Sequence, residues 1–91
     1  MEKTIWKFVL TPETLKISMP EDSIILTAKE QGNEICIWAE VSPSKPLTVR
    51  YFEIFGTGHP IPCETEAGRK YIGTAFLYGG KLVFHVYEWL I

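Results

Sequence analysis

Apolar residues recur at every second position through much of this chain. Leu15, Ile17 and Met19 alternate with Thr14, Lys16 and Ser18, and Ile35, Ile37, Ala39 and Val41 alternate with Glu34, Cys36, Trp38 and Glu40. A period of two sends successive side chains to opposite faces of a strand, so each set predicts a half-buried strand. β-Branched and aromatic content predicts a strand over Thr4–Leu10, and flanking turn residues set off further strands over Ser23–Glu30, Tyr71–Tyr78 and Leu82–Ile91. Leu47–Phe55 is apolar on both sides, with Leu47, Val49, Tyr51 and Phe55 against Phe52 and Ile54, which predicts a central strand or one covered on both faces. In Leu82–Ile91, Leu82, Phe84, Val86 and Leu90 form one face, and Val83, His85, Tyr87, Trp89 and Ile91 the other.

Turn residues separate these segments. Thr11-Pro12, Pro20-Glu21-Asp22, Gln31-Gly32-Asn33, Ser42-Pro43-Ser44-Lys45-Pro46 and Gly79-Gly80-Lys81 each carry residues that stop a strand or fit a hairpin. Cys63–Lys70 is polar and long enough for a short helical turn only. The expected fold is all-β: a small antiparallel sandwich or partly open barrel of about seven strands, with at most a short helical turn near residues 63–70. Ninety-one residues are expected to form one domain over 1–91, since a second would have too little core.

Composition agrees with a packed core, at 46% hydrophobic and 22% charged residues. Three Trp, four Tyr and five Phe exceed what so small an interior needs, so some rings are expected at the surface or in a subunit contact. Nine basic and eleven acidic residues are scattered without a Lys/Arg cluster, which argues against duplex nucleic acid as a partner. One small anionic ligand, needing two or three cations, stays open.

No run approaches the roughly 18 apolar residues of a membrane span, so no membrane partner is expected. Met1-Glu2-Lys3-Thr4 leads straight into a strand without a signal-peptide apolar segment. Cys36, mid-strand between isoleucines, and Cys63, after a proline loop, are expected to be reduced, in an intracellular protein.

The most distinctive stretch is Phe55-Gly56-Thr57-Gly58-His59-Pro60-Ile61-Pro62. Gly56 and Gly58 permit positive φ or close backbone approach, and the prolines stiffen the exit. Such a loop, with His59 as an added donor, suits a phosphate or carboxylate; it equally suits a rigid corner between strands. It is not a P-loop, because the Gly-Lys-Ser/Thr ending and helix are missing.

Catalytic constellations fail one by one. Two-histidine phosphodiesterase chemistry needs a hydroxyl residue two positions after each histidine, but His59 is followed by Pro60-Ile61 and His85 by Val86-Tyr87. Every serine precedes residue 45, and none lies in Gly-x-Ser-x-Gly. With two histidines and no Cys-x-x-Cys or His-x-x-His, no metal site and no cofactor is expected. The residues therefore predict no enzyme.

Cations and rings remain. A base stacked on Trp38, Tyr71 or Trp89, with phosphates met by Arg50, Arg69 or Lys70 and the glycine loop, is one arrangement. His85, beside Tyr87 and Trp89, is either a packed strand residue or a ligand contact. A subunit interface built on Trp38, Tyr87 and Trp89 is the other arrangement, and a ligand between subunits would combine the two.

Ile5-Trp6-Lys7-Phe8, Met19-Pro20, Ile37-Trp38-Ala39, Gly56-Thr57-Gly58-His59-Pro60-Ile61-Pro62, Tyr71-Ile72-Gly73-Thr74, Gly79-Gly80 and Leu82–Glu88 resemble a family of small proteins of tailed phages and prophages. The Gly-Thr-Gly-His-Pro-Ile-Pro run is the specific part of that resemblance. It implies a phage accessory protein in the cytoplasm of the bacterial host. Proteins of that kind include homo-oligomers that sequester nucleotide-derived immune signals, of cyclic-nucleotide or ADP-ribose type, without cleaving them. The alternative setting is a structural or protein-binding accessory module, a virion part or an inhibitor of a host protein.

Overall fold

The structure is a computed structural model and describes residues 2–63 and 68–90. Seven strands follow one another: β1 (Thr4–Leu10), β2 (Lys16–Pro20), β3 (Ile24–Gln31), β4 (Glu34–Val41), β5 (Leu47–Gly56), β6 (Arg69–Leu77) and β7 (Leu82–Trp89). They form two antiparallel sheets, ordered β1-β4-β3 and β2-β5-β7-β6, stacked as a sandwich with no closed barrel. A short 3-10 turn over Tyr78–Gly80 lies in the β6–β7 connection. The expected helical turn near 63–70 falls partly on residues 64–67, outside the described residues, while Arg69 and Lys70 open β6.

Periodicity placed most strands closely. β1 and β4 take the bounds that their patterns predict. The Thr14–Met19 segment starts later, because Thr14 is held in a tight turn whose N–H donates to the Thr11 carbonyl at 3.0 Å. Pro20 ends β2, where its missing N–H costs nothing on an edge strand. Gly32, at φ +62°, is the first of the two residues joining β3 to β4, a position of a hairpin turn that favours glycine.

The core lies between the sheets. Leu10, Ala28, Ile35, Ile37, Ala39 and Val41 from one sheet meet Ile17, Met19, Phe52, Ala75, Leu77 and Val86 from the other. At one side the sheets close where β6 crosses β3. A Cβ on Gly73 would lie 2.3 Å from the Ala28 carbonyl oxygen, so only glycine permits that approach. Side chains finish the seam: Phe76 N–H donates to Glu30 Oε1 at 2.8 Å, and Tyr78 N–H to Asn33 Oδ1 at 2.9 Å. These bonds satisfy one edge donor of β6 and one of the turn that follows it.

Candidate functional site

The outer face of the four-stranded sheet carries the chemistry. Alternation puts Glu53 and Phe55 of β5, and His85, Tyr87 and Trp89 of β7, on that side. β6 adds Arg69 opposite Trp89 and Tyr71 opposite Tyr87. A bulge between Tyr71 and Gly73 then changes the partners, so that Gly73 pairs with Val86 and Thr74 with His85. Unbroken pairing would have put Gly73 beside His85. One extra residue therefore turns Gly73 inward onto Ala28 and brings a hydroxyl beside the imidazole.

His85 is held at both ring nitrogens. Its Nε2 is 2.7 Å from Thr57 Oγ1 and its Nδ1 is 3.2 Å from Thr74 Oγ1. Thr74 Oγ1 is in turn bonded to the Tyr71 hydroxyl. Four side chains from three segments thus form one continuous hydrogen-bonded chain. Beside it, Phe55, Tyr87 and Tyr71 form a row of edge-to-face rings, with centroids 5.7 and 5.6 Å apart.

The glycine loop supplies Thr57. Gly56 ends β5, Thr57 N–H donates to the Val83 carbonyl, and His59 N–H closes a turn onto the Gly56 carbonyl at 3.0 Å. Gly58 occupies the third position of that turn at φ +87°, which favours glycine. The His59 ring folds back over Gly56, where an added Cβ would meet it at 2.7 Å. A cleft of about 210 Å³ opens there, lined by Gly56, Thr57, His59, Lys81, Leu82, Val83 and Phe84.

Arg69 fixes the exit of the loop. Its Nε donates to Glu53 Oε1 at 2.5 Å, its Nη1 to the Pro62 carbonyl at 3.0 Å, and the guanidinium lies 4.4 Å from the Trp89 ring centroid. Its side chain is only 3% exposed. Arg69 is therefore a structural cation under the loop, not one turned to solvent.

The other residues singled out in the sequence go elsewhere. Arg50 faces the inner side of β5, where it makes a bidentate pair with the buried carboxylate of Glu88 and donates through Nη1 to the Ser23 carbonyl at 2.8 Å. Trp38 lies on the outer side of the three-stranded sheet, between Lys7 and Thr27 in register. Lys70 is exposed and pairs in register with Glu88, on the opposite alternation from Tyr71. Gly56, Thr57, Gly58, His59, Arg69, Tyr71 and His85 are the expected site residues that the fold brings to one region.

A family model described as Domain of unknown function (DUF7352) matches residues 1–90. The chain belongs to this family. Comparison with curated proteins and with solved structures gave no match.

In this member of the family, three contributors to the face escape a reading of the sequence. Thr74 joins through the β6 bulge, for which Gly73 within a strand pattern is the available signal. Lys81 reaches the cleft because Gly56 pairs with Phe84, which brings the start of β7 beside the glycine turn. Glu53 matters by neutralising Arg69 from 16 residues away. Among the described residues, no three His, Cys, Asp or Glu side chains cluster as metal ligands, and no helix is long and apolar enough to cross a membrane.

Proposed function

We propose that this domain binds a small nucleotide-derived signal, of cyclic-nucleotide or ADP-ribose type, on the outer face of the four-stranded sheet. It sequesters that ligand without cleaving it, as a phage-encoded protein in the cytoplasm of the bacterial host. The observation that carries the reading is the Tyr71–Thr74–His85–Thr57 chain, four polar groups assembled on a half-exposed aromatic face beside a cleft bordered by Lys81. Tyr71, 52% exposed, offers its ring to a base, while the glycine turn, His59 and Lys81 border the space for phosphate.

Arg50 and Arg69 are engaged with Glu88 and Glu53, so Lys81 takes the phosphate role first assigned to them. His85 is flanked by hydroxyls where an acid–base system would place a carboxylate, which supports holding over cleaving. The phage setting rests on the resemblance carried by Gly56–Pro62.

Calorimetry against cyclic dinucleotides and ADP-ribose tests the proposal. The expected result is saturable binding to at least one, weakened about tenfold or more by Lys81→Glu, with the ligand recovered intact after incubation. Folded protein that takes up none of them overturns it.

A second reading, a structural or protein-binding accessory module, is favoured by the exposed Ile5, Ile24 and Leu26 of the three-stranded sheet and by Leu47 and Val49 of β5. It predicts loss of partner recovery or of self-association on Ile5→Asp and Ile24→Asp, with the ligand site intact.

A further inference from the structure

The geometry points to a ligand with acceptor oxygens at two separated points, at least one anionic, whose binding draws a proton onto His85. This rests on the ligand-binding reading of the same face. It follows from counting the hydrogens along Tyr71–Thr74–His85–Thr57, whose three contacts are the Tyr71–Thr74 hydroxyl pair, Thr74 Oγ1 to His85 Nδ1, and His85 Nε2 to Thr57 Oγ1.

Each hydroxyl carries one hydrogen, and a neutral imidazole carries one. Three of those four hydrogens are used within the chain. If the imidazole hydrogen is on Nε2, it goes to Thr57, whose own hydrogen points outward; Thr74 must then donate to Nδ1 and Tyr71 to Thr74. If it is on Nδ1, Thr57 must donate inward to Nε2, and the free hydrogen lies at the Thr74–Tyr71 end. A neutral His85 thus offers an outward donor at one end or the other, never at both. Protonation adds a fifth hydrogen and frees one at each end together.

A ligand that accepts at Thr57 and at Tyr71 is therefore matched by imidazolium and mismatched by imidazole. A dinucleotide with two phosphates has that pattern, as does a mononucleotide with a phosphate at the glycine turn and a carbonyl on its base. An anion also favours the added charge directly, and histidine is the side chain that changes charge near neutral pH.

The surrounding charges fit this coupling. Of the groups on neighbouring elements, Glu53 of β5 and Arg69 of β6 neutralise each other, and Phe55 lies opposite His85 in register. Tyr71 and Tyr87 contribute phenols to the same face, and Lys81 and His59 border the cleft at the Thr57 end. Positive charge from Lys81 at the cleft adds to the hold on an anion there.

The test follows the His85 imidazole signals by NMR against pH, with and without inorganic pyrophosphate, whose two phosphates supply oxyanions at separated points. The expected result is a rise of about one pH unit in the His85 midpoint with pyrophosphate, equivalent to tenfold tighter binding to the imidazolium form. Thr57→Val and Tyr71→Phe should each reduce that rise. Shifts at the amides of Thr57 and Tyr71 without movement of the His85 midpoint overturn the inference and leave ligand binding standing. No response anywhere on the face also overturns it, and calorimetry with the nucleotides then decides the broader reading.

Discussion

Arg69 lies over the indole of Trp89, 4.4 Å from its centroid, and from that position reaches both Glu53 and the Pro62 carbonyl. The pair joins the first residue of β6 to the last of β7 and clamps the exit of the glycine loop between them. Arg69→Met should keep the alkyl packing but strand Glu53 and release Pro62. The expected loss is about 3 kcal/mol in urea unfolding, with faster hydrogen exchange at Thr57 and His59. Unchanged exchange in the loop would show that the clamp does not hold it.

Gly73 sits where β6 passes close against β3. A methyl group there would lie 2.3 Å from the Ala28 carbonyl oxygen, a backbone atom that cannot swing aside. Gly73→Ala should lower stability by about 3 kcal/mol or more, whereas Gly32→Ala, open in space but at positive φ, should lose about 1 kcal/mol. Denaturation midpoints of the two variants check the order.

Glu30 ties the same seam by charge. The Phe76 N–H that it accepts, and then its own backbone N–H, lower its carboxyl below the ordinary value of 4.5. A depressed folded-state pKa stabilises the fold above the unfolded value and is lost as pH falls through the folded one. Stability should therefore decline as pH drops below about 4.5. Glu30→Gln should flatten part of that decline, seen in thermal unfolding across acidic buffers.

The two cysteines should separate by reactivity. Cys36 is fully buried and Cys63 exposed, and burial is the main cause raising the Cys36 thiol above its usual range. A thiol reagent should label one equivalent rapidly in native protein and the second only on unfolding. Equal rates would contradict the packing around β4.

Strand alternation made much of this fold legible. The faces of β4, β5 and β7 follow from their side-chain sequence, including the placement of His85, Tyr87 and Trp89 together. Partners across long separations did not follow. Arg50 has the composition of a phosphate ligand, but Glu88 lies 38 residues away and becomes its neighbour only when β5 pairs with β7. Trp38 reads as a base platform, yet sheet assignment puts it on the other outer face from His85. Thr74 depended on a one-residue bulge, which breaks the alternation after Tyr71 and puts Thr74, in place of Gly73, opposite His85.

Ligand binding on the face built by Thr57, Tyr71, Thr74 and His85 is tested most directly by amide NMR during titration with ADP-ribose and with a cyclic dinucleotide. Saturable shifts concentrated at Gly56–His59, Tyr71–Thr74 and Lys81–His85 are expected for at least one of them. Shifts centred on Trp38 and the three-stranded sheet, or none with either ligand, would contradict it.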